Sequence, residues 1–200
     1  MNPVRRILLL LFATTLALGQ TAHQSEPTGL PSQPETVVRN LYHQVVIRHP
    51  IGLLYGDNMR IFAPYLSKSL FHRIEVTRAC SRDWGRQNQG RIVKPPFSWG
   101  ESGIFSGGDE KALPGDFQIE RTQTEKDGSL RVGVRLTYRP SDGPGSWRVA
   151  AIVVREDGRL VVDDVIFLKD ETRPGDVDWR LSQSLSAGCD GSRWVGYRGP

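Results

Sequence analysis

The stretch that decides the fold runs from Phe117 to Leu168: FQIERTQTEKDGSLRVGVRLTYRPSDGPGSWRVAAIVVREDGRLVVDDVIFL. Three Asp-Gly pairs punctuate it at equal intervals of 15 residues, Asp127-Gly128, Asp142-Gly143 and Asp157-Gly158. Asp-Gly supplies the positive φ that a tight hairpin turn requires. An interval of that length holds one strand and one turn, so the spacing predicts a meander of about four antiparallel strands, with two-residue turns at the first and third pairs. The connection from Pro140 to Ser146 is longer and looser than the turns beside it.

Alternation inside the stretch assigns the faces. Leu130, Val132, Val134, Leu136 and Tyr138 fall on one side of the second strand, with Arg131, Gly133, Arg135, Thr137 and Arg139 on the other. One side is dry and the other wet. The third strand, Trp147 to Val154, is apolar on both sides and is expected at the centre of the sheet. The fourth, Leu160 to Leu168, is apolar on both sides except at Asp163 and Asp164.

Upstream, residues 1–19 carry Arg5 and Arg6, an apolar run from Ile7 to Leu18 and the small-x-small ending Ala17-Leu18-Gly19. This is the form of a secretory signal peptide, too short for a comfortable membrane span, and no Cys follows it to make a lipoprotein. Cleavage leaves no stable membrane anchor and places the chain in the periplasm or the medium. It also lowers the formal charge from +4 to +2, so the basic balance is partly the signal's and does not indicate a nucleic-acid partner.

Residues 20–33 are polar with Pro and Gly and read as a disordered leader. A single domain is expected over residues 34–189, followed by a flexible tail over 190–200. Ser32-Gln33-Pro34-Glu35 has the form of a capping box, and Val37, Val38, Leu41, Tyr42 and Val45 make one apolar stripe on a helix that ends before Pro50. His43 and His49 are expected to be solvated. A short helix interrupted at Pro64 and a long one from an N-cap at Ser67 to about Gln87 follow. The segment from Ile92 to Asp116 is irregular but carries Phe97, Trp99 and Phe105, so it is expected to pack and to cover the mouth of a cavity. Asp178 or a neighbour is expected to cap a short helix holding Trp179, Leu181 and Leu185.

The order of elements resembles the cone fold of the nuclear-transport-factor-two-like superfamily. More narrowly, the chain is similar to a bacterial family defined as domain of unknown function 3828. Tyr65-Leu66-Ser67, Lys94-Pro95-Pro96-Phe97 with Phe105 beyond it, Trp147, Val162-Asp163-Asp164-Val165 and Leu181-Ser182 carry the similarity, over residues 35 to 189. It implies an α+β domain, helices packed on a curved antiparallel sheet whose concave face often encloses a pocket, and no established activity.

Asp163-Asp164 is the chemically provocative pair, since one of two adjacent carboxylates on an apolar strand must face inward, where desolvation would suit it to proton transfer. Cone-fold isomerases and dehydratases use such acids with a His or Tyr, here His72, Tyr42 or Tyr138. The competing reading leaves one Asp solvated and has the other accept hydrogen bonds from a loop or helix backbone. Other signatures are missing: no Lys-Ser/Thr follows the glycines of residues 100–108, the four His and two Cys lack metal-ligand spacing, and there is no nucleophile elbow. No metal or cofactor is called for. The row of Arg131, Arg135 and Arg139 reads as a wet strand face paired with Glu120 or other acids.

Two functions remain. The first is a non-catalytic exported module that binds a small molecule or a protein through the concave face or the aromatic loop, with Tyr42, Tyr138, Trp99 and Phe105 as the binding candidates. The second is a cavity enzyme of the isomerase or dehydratase kind using Asp163 or Asp164 as acid or base. Finally, Cys80 and Cys189 are the only cysteines of a chain bound for an oxidising space, which predicts a disulfide between them.

Overall fold

A computed structural model describes residues 33–108, 113–139, 145–169 and 177–197. The signal segment, all of the expected leader but Gln33, the Asp142-Gly143 connection and the last three residues lie outside them. The domain is α+β. Helices α1 (Pro34–Arg48), α2 (Gly56–Phe62, prolonged by a 3-10 turn over Ala63–Tyr65) and α3 (Lys68–Gln87) come first. Strands β1 (Pro114–Thr124), β2 (Leu130–Tyr138), β3 (Ser146–Glu156) and β4 (Arg159–Phe167) follow, then a two-residue β5 (Trp179–Arg180) and the short helix α4 (Leu181–Ser186).

The sheet is antiparallel in the order β1-β2-β3-β4-β5, so the expected four strands become five. The addition is β5, which pairs Arg180 with Ile166 and Trp179 with Phe167 at the far end of β4. Two residues leave no periodicity to read, and Trp179 therefore lies in a strand rather than in the helix expected for it. The alternation of β2 holds: Val132, Val134 and Leu136 are fully buried, while Arg131, Gly133 and Arg135 lie on the other side at intermediate exposure. Residues 149–153 of the central β3 are buried on both sides.

The inner face carries α1, whose Val38, Leu41, Tyr42 and Val45 share one core with Val132, Val134, Leu136, Val149 and Val162. Pro34 opens this helix at its first turn and Gln33 is its N-cap, with no side-chain cap bond; Ser32, the expected capping residue, lies outside the described residues. Ser67 caps α3 as expected, its Oγ accepting from the Leu70 N–H at 2.9 Å. The aromatic loop packs: Phe97, Trp99 and Phe105 are all buried. On the outer face a smaller apolar patch of Ala150, Ile152 and Ile166 lies under ion pairs, Arg135 and Arg148 to Glu120 at 2.7 and 3.2 Å, and Arg131 to Glu125 and Asp178 at 3.8 and 3.9 Å. Such half-exposed pairs stabilise by at most about 1 kcal/mol each.

Cys80 and Cys189 form the expected disulfide, with Cα atoms 6.1 Å apart. The chain beyond it is held more firmly than its polar, glycine-rich composition suggests. Strands β6 (Cys189–Asp190) and β7 (Arg193–Trp194) make a small hairpin, and the Trp194 ring packs edge-on against Phe97 at 5.1 Å. The Trp194 N–H donates to Asp83 on α3 at 2.9 Å and, with Gln87 and Arg86, holds that carboxyl below its usual range. A carboxyl whose pKa falls on folding contributes stability above its unfolded pKa, and the contribution is lost as the pH drops through the folded value.

The two Asp-Gly turns differ in kind. Asp157 and Gly158 both have positive φ, 50° and 79°, and the Glu156–Arg159 pair closes them as a two-residue turn. At Asp127 the loop is longer: Gly128 N–H bonds Glu125 O, Glu125 N–H bonds Ser129 O, and only Gly128 has positive φ. The Asp127 carboxylate accepts from the N–H and hydroxyl of Ser129, which satisfies groups a two-residue turn would have placed in the ladder. Replacing Gly128 or Gly158 by Val should still cost about 1 to 2 kcal/mol each, because a β-branched residue resists positive φ. Urea denaturation measures it, and wild-type midpoints in both variants would overturn the turn assignments.

Candidate functional site

Asp163 and Asp164 are placed by a bulge. Val153 pairs with Val162 and Ile152 pairs with Asp164, which leaves Asp163 as the extra residue of β4. The insertion resets the alternation: Val162 and Val165 both join the inner core, while Ile166 joins the outer patch. Asp164, opposite Ile152, is consequently not on the side of Leu160 and Val162, as simple alternation would place it. It is nonetheless only 6% exposed, because the start of α4 folds over it.

Each carboxylate holds the start of a helix. Asp164 accepts from the Ser182 N–H at 3.0 Å, the Ser182 hydroxyl at 2.7 Å, the Val165 N–H at 2.9 Å and the Arg180 guanidinium at 3.4 Å. Asp163, half-buried rather than solvated, accepts from the Ser67 hydroxyl, and the Ser67 N–H bonds the Val162 carbonyl at 2.8 Å. This is the hydrogen-bonding role rather than the proton-transfer one, extended to both acids. The proposed partners are elsewhere. Tyr42 is fully enclosed under α1 and donates to the Phe105 carbonyl at 3.0 Å, and burial pushes its phenol far above the usual range. Tyr138 packs against Trp147 with ring centroids 4.7 Å apart and the planes tilted by 31°, and His72 is exposed on α3, with no hydrogen bond to either acid among the described residues.

The four aromatic candidates for binding are likewise not gathered in one place. Tyr42 and Phe105 fill the inner face, Phe105 against Phe62 at 5.1 Å. Trp99 lines a cleft. It stacks on Phe97 at 4.5 Å, and the cleft beside it, about 240 Å3, is walled by Ile104, Phe167, Trp179 and Leu181 with Ser184. Two features mark this cleft. Trp99 is 8% exposed, and its Nε1–H finds no acceptor among the described residues, a state that costs about 1 to 3 kcal/mol. Trp179 is 45% exposed, yet its Nε1–H is anchored on the Ser184 hydroxyl, so the half-bare ring is held in place. The sequence carries one signal for it, a Trp two residues before the helix start at Leu181.

A second cleft of about 400 Å3 separates α3 from α4, with His72 and Arg73 on one wall and Ser182 and Leu185 on the other. Among the described residues no group of three His, Cys, Asp or Glu is placed to hold a metal ion, and no helix is long and apolar enough to cross a membrane.

Replacing Asp164 by Ala should destabilise by about 2 to 3 kcal/mol, since several buried donors lose one acceptor, and Asp163→Ala by about 1 kcal/mol through the Ser67 cap. Equal shifts in the denaturant midpoint would contradict the division of labour. Compared with protein-family models, with curated proteins and with solved structures, the chain finds no match.

Proposed function

We propose that this is an exported, non-catalytic module that binds a small molecule in the cleft beside the aromatic loop. The observation that carries the reading is the pairing of a buried indole N–H lacking an acceptor, Trp99, with a half-exposed indole held in place, Trp179, across an apolar cleft. A planar ligand with a carbonyl or similar acceptor fits both: its body stacks on Trp179 and its acceptor takes the Trp99 proton.

The inner face is a poorer candidate, being filled by Tyr42, Phe62 and Phe105. The enzyme reading also lacks support, because both oxygens of Asp164 and the Oδ1 of Asp163 accept hydrogen bonds that anchor helix starts. Helices followed by a meander with α1 laid across one face support the cone-fold, family-3828 resemblance. The signal-like N-terminus and the Cys80–Cys189 bridge support a periplasmic or secreted location.

The five indole N–H resonances, assigned by single Trp→Phe replacements, test the binding. Titration with benzamide as the probe should move the Trp99 resonance downfield as it gains an acceptor, and Trp179→Ala should weaken the response about tenfold. No movement at Trp99 or Trp179 with benzamide or with other planar amides would overturn the site. Mass spectrometry of protein recovered from the periplasm or medium should show a chain starting near Gln20. A full-length chain confined to the cytoplasm would overturn export.

A further inference from the structure

The cleft between α3 and α4 is separate from the aromatic one, and polar groups stand on both of its walls. Ser69, His72, Arg73 and Val76 recur at three- and four-residue intervals, so they form one stripe of α3, beside the buried stripe of Leu70, Ile74 and Thr77. Ser182, Leu185 and Ser186 face them from α4. At about 400 Å3 the space is of the size that takes small ligands.

Accounting for protons tells the two walls apart. The Ser182 hydroxyl donates its only proton to Asp164 at 2.7 Å, and the Ser186 hydroxyl donates to the Ser182 carbonyl at 3.0 Å or the Gln183 carbonyl at 3.2 Å. Each then has only lone pairs left to offer. The α3 wall is the reverse. The Arg73 guanidinium has donors and no acceptor, and among the described residues it forms no ion pair; the Ser69 hydroxyl is likewise uncommitted. Val76 and Leu185 supply an apolar middle between the two.

We infer that this cleft binds a small zwitterion of the amino-acid kind, its carboxylate against Arg73 and His72, its ammonium against the Ser182 and Ser186 oxygens, and its apolar side chain on Val76 and Leu185. An anion alone leaves the acceptor wall unmatched, and a cation alone meets Arg73. A molecule carrying both groups meets both walls at once.

Isothermal titration of the mature protein with L-leucine tests the assignment, with isocaproate, which lacks the ammonium, and isopentylamine, which lacks the carboxylate, as controls. Leucine should bind at least about tenfold more tightly than either control, and Arg73→Gln should weaken it about tenfold or more, the ordinary worth of a charge-assisted hydrogen bond. Trp99→Phe should leave leucine binding unchanged, which separates this cleft from the aromatic one. Should Arg73→Gln lose its fold by circular dichroism, His72→Gln and Ser186→Ala provide the same reading from either wall. Absence of heat with leucine, equal binding of isocaproate, or wild-type affinity in the folded variants would overturn the inference.

Discussion

The Tyr42 phenol, shut between α1 and the sheet, has to find an acceptor inside the protein, and the one it finds is the Phe105 carbonyl at 3.0 Å. That single bond joins the first helix to the aromatic loop across the inner face. Around it Phe62 and Phe105 pack into the same core. The aromatic cleft and the α3–α4 cleft lie on the flanks, where α4 meets the aromatic loop, the sheet edge and α3. The two clefts have the same origin: a six-residue helix is too short to cover the flank it sits on.

How much of this was legible in the residues follows from how local each cause is. The β2 alternation, the Asp157-Gly158 turn and the Ser67 cap are decided within a few residues of chain, and each is where periodicity and turn chemistry place it. The Cys80–Cys189 bridge follows from the count of two cysteines together with the expected export. The bulge at Asp163 has a distant cause. It turns one carboxylate toward Ser67 and the next toward Ser182, residues far away in sequence, and no pattern inside Val162-Asp163-Asp164-Val165 announces it. Strand β5 and the exposure of Trp179 depend in the same way on the edge of β4, which only the assembled sheet provides.

The candidate site was legible in type and less so in membership. Trp99 and the packed aromatic loop were expected, but Tyr42, Tyr138 and Phe105 were grouped with them because aromatic residues look alike in a sequence whether they fill a core or line a cleft. Only burial separates them. His72, the expected partner for the acids, instead faces Ser182, whose hydroxyl stands on Asp164.

Thr77, Cys80 and Asp83 lie along successive turns of α3, and they are joined to Leu185, Cys189 and Trp194, which are 108, 109 and 111 residues further on. The two segments advance in step, like the sides of a fastener. The meander differs, since each of its hairpins can close as soon as two neighbouring strands exist. A chain delivered from its N-terminus, by a ribosome or through a pore, presents α3 well before the other side of the fastener. The flank of α3 must therefore wait for about a hundred further residues, and the arrival of Leu185 to Trp194 sets the moment at which it can be covered.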